Sequence, residues 1–382
     1  MQKEIGNNLQ RFSLEVPRPS LFTKIVVGKD ILPNISRVVD LDGYNRFIIV
    51  TEDKLANSYS LGLKLKEGLK EADKPIKVIT SEGTEKNKTL TEANRILKEV
   101  LSDPEIDRKT TLILNLGGGV IGDVGGFVAS QALRGIDCFQ IPTTLLAMAD
   151  SSLGGKTGVD YKDIKNRIGL FHLPRATIMD IDVLKKLPER QIISGFGELI
   201  KHAFSDIEIF NFVSGENIES IMKDEDKLIK LLELSARYKM GIVTQDFEEK
   251  TGARQVLNLG HTLGHAIESV GGLKQFTHGE AVAIGLTGII LISNKLELLS
   301  DQDKNKILEV MRQFKLPTST VNVNRDIHID KDQLWKIMGS DKKAVDGIPK
   351  FVLIEGIGKL KTGCKVEREM VDRALDVVNP IS

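Results

Sequence analysis

The sequence predicts an α/β unit with a mostly parallel sheet, followed by a mainly α-helical unit. Three observations predict it: short β-branched runs alternate with helical spacing in the first half, a glycine-rich turn directly follows one of those runs, and helical periodicity dominates after about residue 185. Lys24-Ile-Val-Val-Gly, Arg46-Phe-Ile-Ile-Val-Thr51, Ile76-Lys-Val-Ile-Thr80, Thr111-Leu-Ile-Leu-Asn115 and Cys138-Phe-Gln-Ile-Pro142 read as strands. Residues 57–71 and 90–101 have helical spacing between them. The segments 187–213, 218–243, 262–270, 278–298, 302–314 and 331–338 read as helices, and Phe351-Val-Leu-Ile354 is a late apolar run. The expected boundary lies at Lys186-Leu187-Pro188, dividing the chain into residues 1–186 and 187–382.

Charge and composition narrow the function classes. Lys plus Arg equals Asp plus Glu at 53 each over 382 residues, so no global field draws nucleic acid or an anionic membrane, and any anion site is local. The opening residues lack the apolar core of a signal peptide, and the most apolar run, 281–292, is too short to span a bilayer. Two cysteines, Cys138 and Cys364, form no disulfide framework; a cytoplasmic location without membrane association is expected.

Three motifs carry chemistry. In Asn258-Leu-Gly-His261-Thr-Leu-Gly-His265-Ala-Ile-Glu268 and His278-Gly-Glu280, three of the six histidines gather within residues 258–280. His261 and His265 share a helical face, which suits a metal site with an open position for substrate; His261, His265 and Glu268 are one ligand set that this spacing allows. Gly117-Gly118-Gly119-Val120-Ile121-Gly122-Asp123 follows a strand and spells G-x-G-x-x-G, whose amides suit a pyrophosphate; the same glycines also serve simple close packing of helix on strand. Three strands precede it, so a standard dinucleotide fold with the motif on its first strand is not expected. The third block runs through Thr143-Thr144, Asp150-Ser151, Lys156 and Lys165-Asn166-Arg167, hydroxyls and cations fit for binding an anion.

These blocks, with Gly195-Phe-Gly-Glu198-Leu-Ile-Lys201-His202 and Ser340-Asp341-Lys342-Lys343, resemble the 3-dehydroquinate synthase family over roughly residues 80–360. The resemblance implies a dehydroquinate synthase-like fold, with an NAD-binding first domain and a metal- and substrate-binding second domain. It implies conversion of the sugar phosphate 3-deoxy-D-arabino-heptulosonate 7-phosphate to 3-dehydroquinate and phosphate, a lyase reaction on the way to chorismate and the aromatic amino acids. The implied sequence is transient oxidation with NAD, β-elimination of phosphate, reduction and intramolecular aldol closure. The implied cofactors are NAD and a divalent metal, zinc with cobalt as the alternative, and the implied assembly is a homodimer.

By the same resemblance the metal ligands are Glu198, His261 and His278, with His265 moved to the substrate pocket. Cofactor contacts fall on Glu85, Lys88, Gly118, Gly119, Val120, Asp123, Thr143, Thr144 and Ser151, with Lys165 and Asn166 near both ligands. Substrate contacts fall on Asp150, Lys156, Lys201, Lys239, Arg254, Asn258, His265 and Lys342. Arg134 matches an arginine that reaches the neighbouring subunit's phosphate site. His172 and His202 are read as structural.

The chain departs from the family pattern in several places: Asp160 for asparagine, Lys186 for threonine, Glu52-Asp53-Lys54 after the second strand, a glycine displaced by one before Glu85, and one extra residue between Asp246 and Gly252 that weakens the match at Lys239. Alternative readings are another sugar-phosphate cyclase, a metal-dependent polyol dehydrogenase of the same architecture, or a non-catalytic binding protein on the fold.

Overall fold

The computed structural model describes residues 21–57, 61–70, 72–162, 164–271, 275–324, 329–340 and 348–380. Eight strands come first: β1 (Lys24–Gly28), β2 (Arg46–Glu52), β3 (Ile76–Ser81), β4 (Thr111–Gly117), β5 (Asp137–Pro142), β6 (Lys156–Tyr161), β7 (Ile164–Phe171) and β8 (Ala176–Asp180). Six of them form one sheet in the order β1-β8-β5-β4-β2-β3, with every pairing parallel. Such a sheet must be covered on both faces, and the strands show it. Phe47 and Ile49 of β2 and Leu112, Leu114 and Leu116 of β4 face one apolar cluster; Ile48, Val50 and Ile113 face the other. The second cluster is closed by the helices Leu90–Leu101 and Gly119–Gln131, through Ile96, Val100 and Val128.

The other cluster continues from the sheet into the helical half, joining Phe139 and Met148 to Phe196, Leu199, Leu263 and Ile284. Three helices there position the site: Glu189–Ser205, His261–Gly271 and His278–Lys295. Their crossings bring backbones nearly into contact. A Cβ on Gly279 would sit 1.8 Å from the Ser194 carbonyl oxygen, and one on Gly197 would sit 2.5 Å from that of Gly279. On the other side, a Cβ on Gly285 would lie 2.1 Å from the Gly260 carbonyl oxygen. Only glycine fits at these crossings, and they draw residues 198, 261 and 278 to one point.

Some expected elements have other limits. The expected helix over 187–213 is two, Glu189–Ser205 and Ile207–Val213, because extended Asp206 ends the first and caps the second by accepting from the amides of Glu208 and Ile209 at 2.9 and 3.1 Å. Asp224 divides 218–243 in the same way, capping Glu225–Gln245. The 57–71 segment is described as the helices Asp53–Asn57 and Leu61–Lys70. The antiparallel β6–β7 hairpin was not foreseen, since β7 is mostly exposed and carries Lys165, Asn166 and Arg167 in place of an apolar alternation. Asp160 closes that hairpin by accepting from the Asn166 amide at 2.7 Å, a bond that an asparagine oxygen would accept equally. The late run is β9 (Phe351–Gly356), paired antiparallel with β10 (Lys359–Cys364) and followed by the helix Arg368–Val378.

The crossings predict opposite outcomes for two helical glycines. Gly279→Ala should destabilise the protein by about 1–3 kcal/mol, because helix backbones must separate. Gly241→Ala, whose Cβ would meet nothing within 4 Å, should stabilise it by about 0.5–1 kcal/mol. Urea unfolding followed by circular dichroism checks both; shifts of the same sign would show that close approach is not the constraint.

Candidate active site and metal centre

The glycine crossings enclose a charged cluster. Glu198 is fully buried, and neither carboxylate oxygen accepts a well-formed hydrogen bond from any described residue. Its oxygens instead face positive or ligating groups: the Lys201 ammonium one turn along the helix, His278 Nε2 at 3.3 Å and His261 Nε2 at 3.6 Å. One nitrogen each from His261, His265 and His278 lies within 4.8 Å of the others, so four potential ligands converge. A fully buried carboxylate is costly unless positive charge offsets it; Lys201 supplies part of that charge, and the converging imidazoles are where a cation would supply the rest. The donor set, one carboxylate and several imidazoles, suits zinc or a similar divalent ion.

Hydrogen bonds on the far side of each ring fix its orientation. His261 Nδ1 lies 3.1 Å from the Leu259 carbonyl oxygen; a carbonyl only accepts, so Nδ1 carries the proton and Nε2 is left to ligate. His278 Nδ1 lies 3.2 Å from Glu268 Oε2, which likewise directs its Nε2 toward Glu198. A capping box sets the position of His278 at the first turn of its helix: the Glu280 amide donates to Thr277 Oγ1 at 3.3 Å, and the Thr277 amide donates to Glu280 Oε2 at 2.8 Å.

The titrations follow from this crowding. Burial disfavours the Glu198 carboxylate, yet Lys201, His261 and His278 together hold it well below the usual range. Burial and Lys201 push His261 well down. Burial also opposes charge on His278, but Glu198 and Glu268 outweigh it and raise its pKa to about 10. The two carboxylates thus favour the charged form of His278, and a metal held by its Nε2 would have to compete with a proton there.

A cationic pocket adjoins the cluster. Lys239 is buried and donates to Asp150 Oδ1 at 2.6 Å; burial pulls the ammonium below its usual range against the pull of Asp150. Lys201 Nζ donates to the Leu257 carbonyl at 2.9 Å. Arg254 is buried, donates to the Phe247 carbonyl at 3.0 Å and stands over the Phe171 ring at 5.8 Å. Glu249, with φ of 55°, lies 2.5 Å from Lys156 Nζ and 3.5 Å from Arg254 Nε. Asn258 ends the short turn Ala253–Asn258 that leads from Arg254 toward His261.

The glycine turn lies at the carboxyl end of β4, beside β2, where the sheet order reverses. This switch point leaves the crevice in which parallel sheets bind ligands. Gly119 is within reach of Ser151, since a Cβ there would sit 3.1 Å from Ser151 Oγ; Gly118 similarly faces Thr144. Val120 and Asp123 follow on the helix Gly119–Gln131, and the Thr143 amide donates to the Gly117 carbonyl at 2.9 Å. Asp123 pairs with buried Lys88 at 2.5 Å. Burial opposes the Lys88 charge, but Asp123 holds its pKa above the usual range. Lys165 reaches Glu268 at 2.7 Å and Glu85 at 3.4 Å.

Thus Glu198, Lys201, His261, His265 and His278 lie together, and Asp150 pairs with Lys239 beside them. Lys156 and Arg254 share Glu249; Gly118, Gly119, Val120, Asp123, Thr143, Thr144 and Ser151 lie at or beside the glycine turn, Lys88 pairs with Asp123, Glu85 meets Lys165, and Lys165 and Asn166 lie on the β6–β7 hairpin. Arg134 stands apart and exposed, at φ of 69°, on the turn leading from the glycine helix to β5. Lys342 lies outside the described residues. His172 donates to or accepts from no candidate; its Nε2 meets the Ile136 carbonyl at 2.9 Å. His202 is buried against Ser235 at 2.7 Å, and burial followed by Lys201 lowers its pKa to about 3. The carbonyls of Leu257 and Leu259 had no signal in the sequence, since any residue supplies one. Glu52 had one, as an acidic residue ending β2; its Oε1 accepts from the Gly118 amide at 3.2 Å.

Similarity to known proteins accords with this arrangement. The sequence model for the 3-dehydroquinate synthase N-terminal region matches residues 78–194, and that for the C-terminal region matches residues 195–344. The 3-dehydroquinate synthase of Thermodesulfovibrio yellowstonii is 38% identical over 330 residues, covering 86% of this chain and 89% of the relative. That of Ruminiclostridium cellulolyticum is 36% identical over 342 residues, covering 87% and 89%. Among solved structures, 2-epi-5-epi-valiolone synthase from Streptomyces hygroscopicus, with NAD+ and Zn2+ bound, superposes with a TM-score of 0.83 at 24% identity, covering 95% of this chain and 98% of that one. An iron-containing alcohol dehydrogenase from Thermotoga maritima shares the fold more distantly, at a TM-score of 0.65 and 16% identity, covering 96% of this chain and 100% of that one. Adjoining family matches from residue 78 to 344, with relatives aligned over most of the chain, establish that this protein belongs to the 3-dehydroquinate synthase family.

Proposed function

We propose that the protein is a 3-dehydroquinate synthase, converting 3-deoxy-D-arabino-heptulosonate 7-phosphate to 3-dehydroquinate and phosphate. The observation that carries the reading is the buried Glu198 carboxylate, faced by Lys201 and by the Nε2 atoms of His261 and His278, with His265 clustered beside those two rings and a cationic pocket adjoining. Glu198, His261 and His278 would hold the metal. Both ring Nε2 atoms are directed at Glu198, whereas His265 is exposed toward the open side. The glycine turn, with Thr143, Thr144, Ser151, Asp123 and Lys88, would hold NAD; a solved structure of the same fold has NAD+ and Zn2+ bound. When bound, the metal would acidify a coordinated hydroxyl and NAD would supply a reversible hydride acceptor.

The chain's own residues bind and orient the substrate. Lys156 and Arg254, with Lys342, offer charge to its phosphate or carboxylate, and Lys239, Asp150 and Asn258 offer hydrogen bonds to hydroxyls. His265 and Lys201, at the metal cluster, orient a hydroxyl and carry its proton. Residues 1–186 would form the cofactor domain and 187–382 the metal and substrate domain. A cytoplasmic homodimer is the assembly proposed, with Arg134 reaching the partner's phosphate pocket; among the described residues no helix is long and apolar enough to cross a membrane.

Three measurements test the reading. Phosphate release from the heptulosonate phosphate should require NAD, stop with a chelator and greatly exceed any NADH formed; stoichiometric NADH would instead indicate a dehydrogenase. His278→Ala should abolish tight zinc binding, measured by metal analysis after dialysis, while His265→Ala should keep the metal and lose activity; the reverse pattern would move the ligand set onto the His261–Gly271 helix. Arg134→Ala should raise KM and slow elimination while leaving zinc and NAD bound. Subunit exchange between Arg134→Ala and Lys201→Ala proteins should recover part of the activity, and no recovery despite demonstrated exchange would place Arg134 in its own chain's site.

A further inference from the structure

Glu268 lies outside the converging ligands, yet it is the best-connected carboxylate next to them. It is nearly buried, on the last turn of the helix that begins with His261, and its two oxygens serve different partners. Oε2 meets His278 Nδ1 at 3.2 Å, and Oε1 accepts from Lys165 Nζ at 2.7 Å. Lys165 belongs to β7 and reaches Glu85 at 3.4 Å; Glu85 begins the short turn that leads into Lys88, which pairs with Asp123 on the helix after the glycine turn. A continuous polar line thus runs from the cofactor side of the sheet, through the exposed hairpin, to the back of a metal-facing imidazole.

An imidazole that ligates through one nitrogen needs its other N–H held. A carboxylate in that place fixes ring and tautomer and makes the ligating nitrogen more basic, and its loss commonly weakens metal binding about 10–100-fold. His278 has more need of this than His261. His261 is held by a backbone carbonyl of its own segment, whereas the only partner behind His278 among the described residues is the Glu268 side chain.

We propose that Glu268 is the positioning residue for His278, and that Lys165 ties its carboxylate to the β6–β7 hairpin so that hairpin placement and metal affinity are coupled. The proposal rests on the metal reading above and adds a residue and a linkage to it. No substrate or cofactor needs to touch Glu268. Its effect passes through the His278 ring, and the coupling is reciprocal: what holds the hairpin tightens the metal, and the metal steadies the hairpin.

The test uses the full-length protein, stripped of metal and titrated with zinc against a chromophoric chelator, then with cobalt while the visible spectrum is recorded. Glu268→Ala should weaken zinc about 10–100-fold and alter the cobalt spectrum. Glu268→Gln, which still accepts from Nδ1–H, should recover part of that loss. Lys165→Met should change zinc affinity at least about threefold in the wild-type background but not in Glu268→Ala, the non-additivity expected of residues acting along one line. Thermal unfolding of the metal-free variants should match that of the metal-free parent, which separates positioning from general stability. Wild-type zinc affinity in Glu268→Ala would overturn the positioning role, and additive effects of the two substitutions would overturn the coupling. A parent protein that takes up no zinc or cobalt would overturn the metal reading itself.

Discussion

Everything at the site depends on backbones approaching more closely than side chains allow. Gly197 against Gly279, and Gly260 against Gly285, remove the layer of side chains that ordinarily separates packed helices. The space so gained is occupied by charge: Glu198, Lys201 and three imidazoles stand where Leu or Phe would be expected between helices of this apolarity. A cluster of this kind survives burial because each charge meets an opposite one, and it is held in register because the surrounding apolar packing continues unbroken from Met148 in the sheet half to Ile284 in the helical half.

The sheet supplies the second half of the site by a different route. Its strand order reverses between β2 and β4, and the glycine turn occupies that reversal. The turn's first amide is already engaged by Glu52 and its helix lies low on the sheet, with a Cβ on Gly125 falling 2.0 Å from Asn115 Oδ1. Thus the same glycines serve both readings drawn from the sequence, close packing and an open cradle of amides. The two are not rivals, since the helix must lie low for its amino end to face the crevice.

Much of this was legible in the sequence because it is periodic or local. β-branched runs mark β1 to β5, and Thr277-His278-Gly279-Glu280 spells its own capping box. The convergence of Glu198 with His278, eighty residues apart, follows from family resemblance and not from spacing; local spacing also allows a set containing Glu268. In the structure Glu268 shares a helix with His261 but contacts the Nδ1 side of the His278 ring, a placement that spacing along one helix does not convey. Asp206 and Asp224 each cap a new helix, and apolar periodicity that resumes immediately after each masks the break in the sequence. The β6–β7 hairpin was invisible for a more basic reason, since an exposed ribbon has no buried face to impose an alternating pattern.

Glu249 gives the cationic pocket a particular character. Held at a left-handed backbone position, it already lends a negative charge to both Lys156 and Arg254. An anion arriving between them trades places with a resident carboxylate and does not meet two bare cations. In the proposed role the pocket would behave as an ion exchanger: its long-range pull would be muted, and its preference among anions would rest on how much better one fits than the carboxylate it displaces. Small adventitious anions, which match a carboxylate in charge but gain nothing in contacts, are thereby disfavoured against a ligand large enough to reach the neighbouring groups as well.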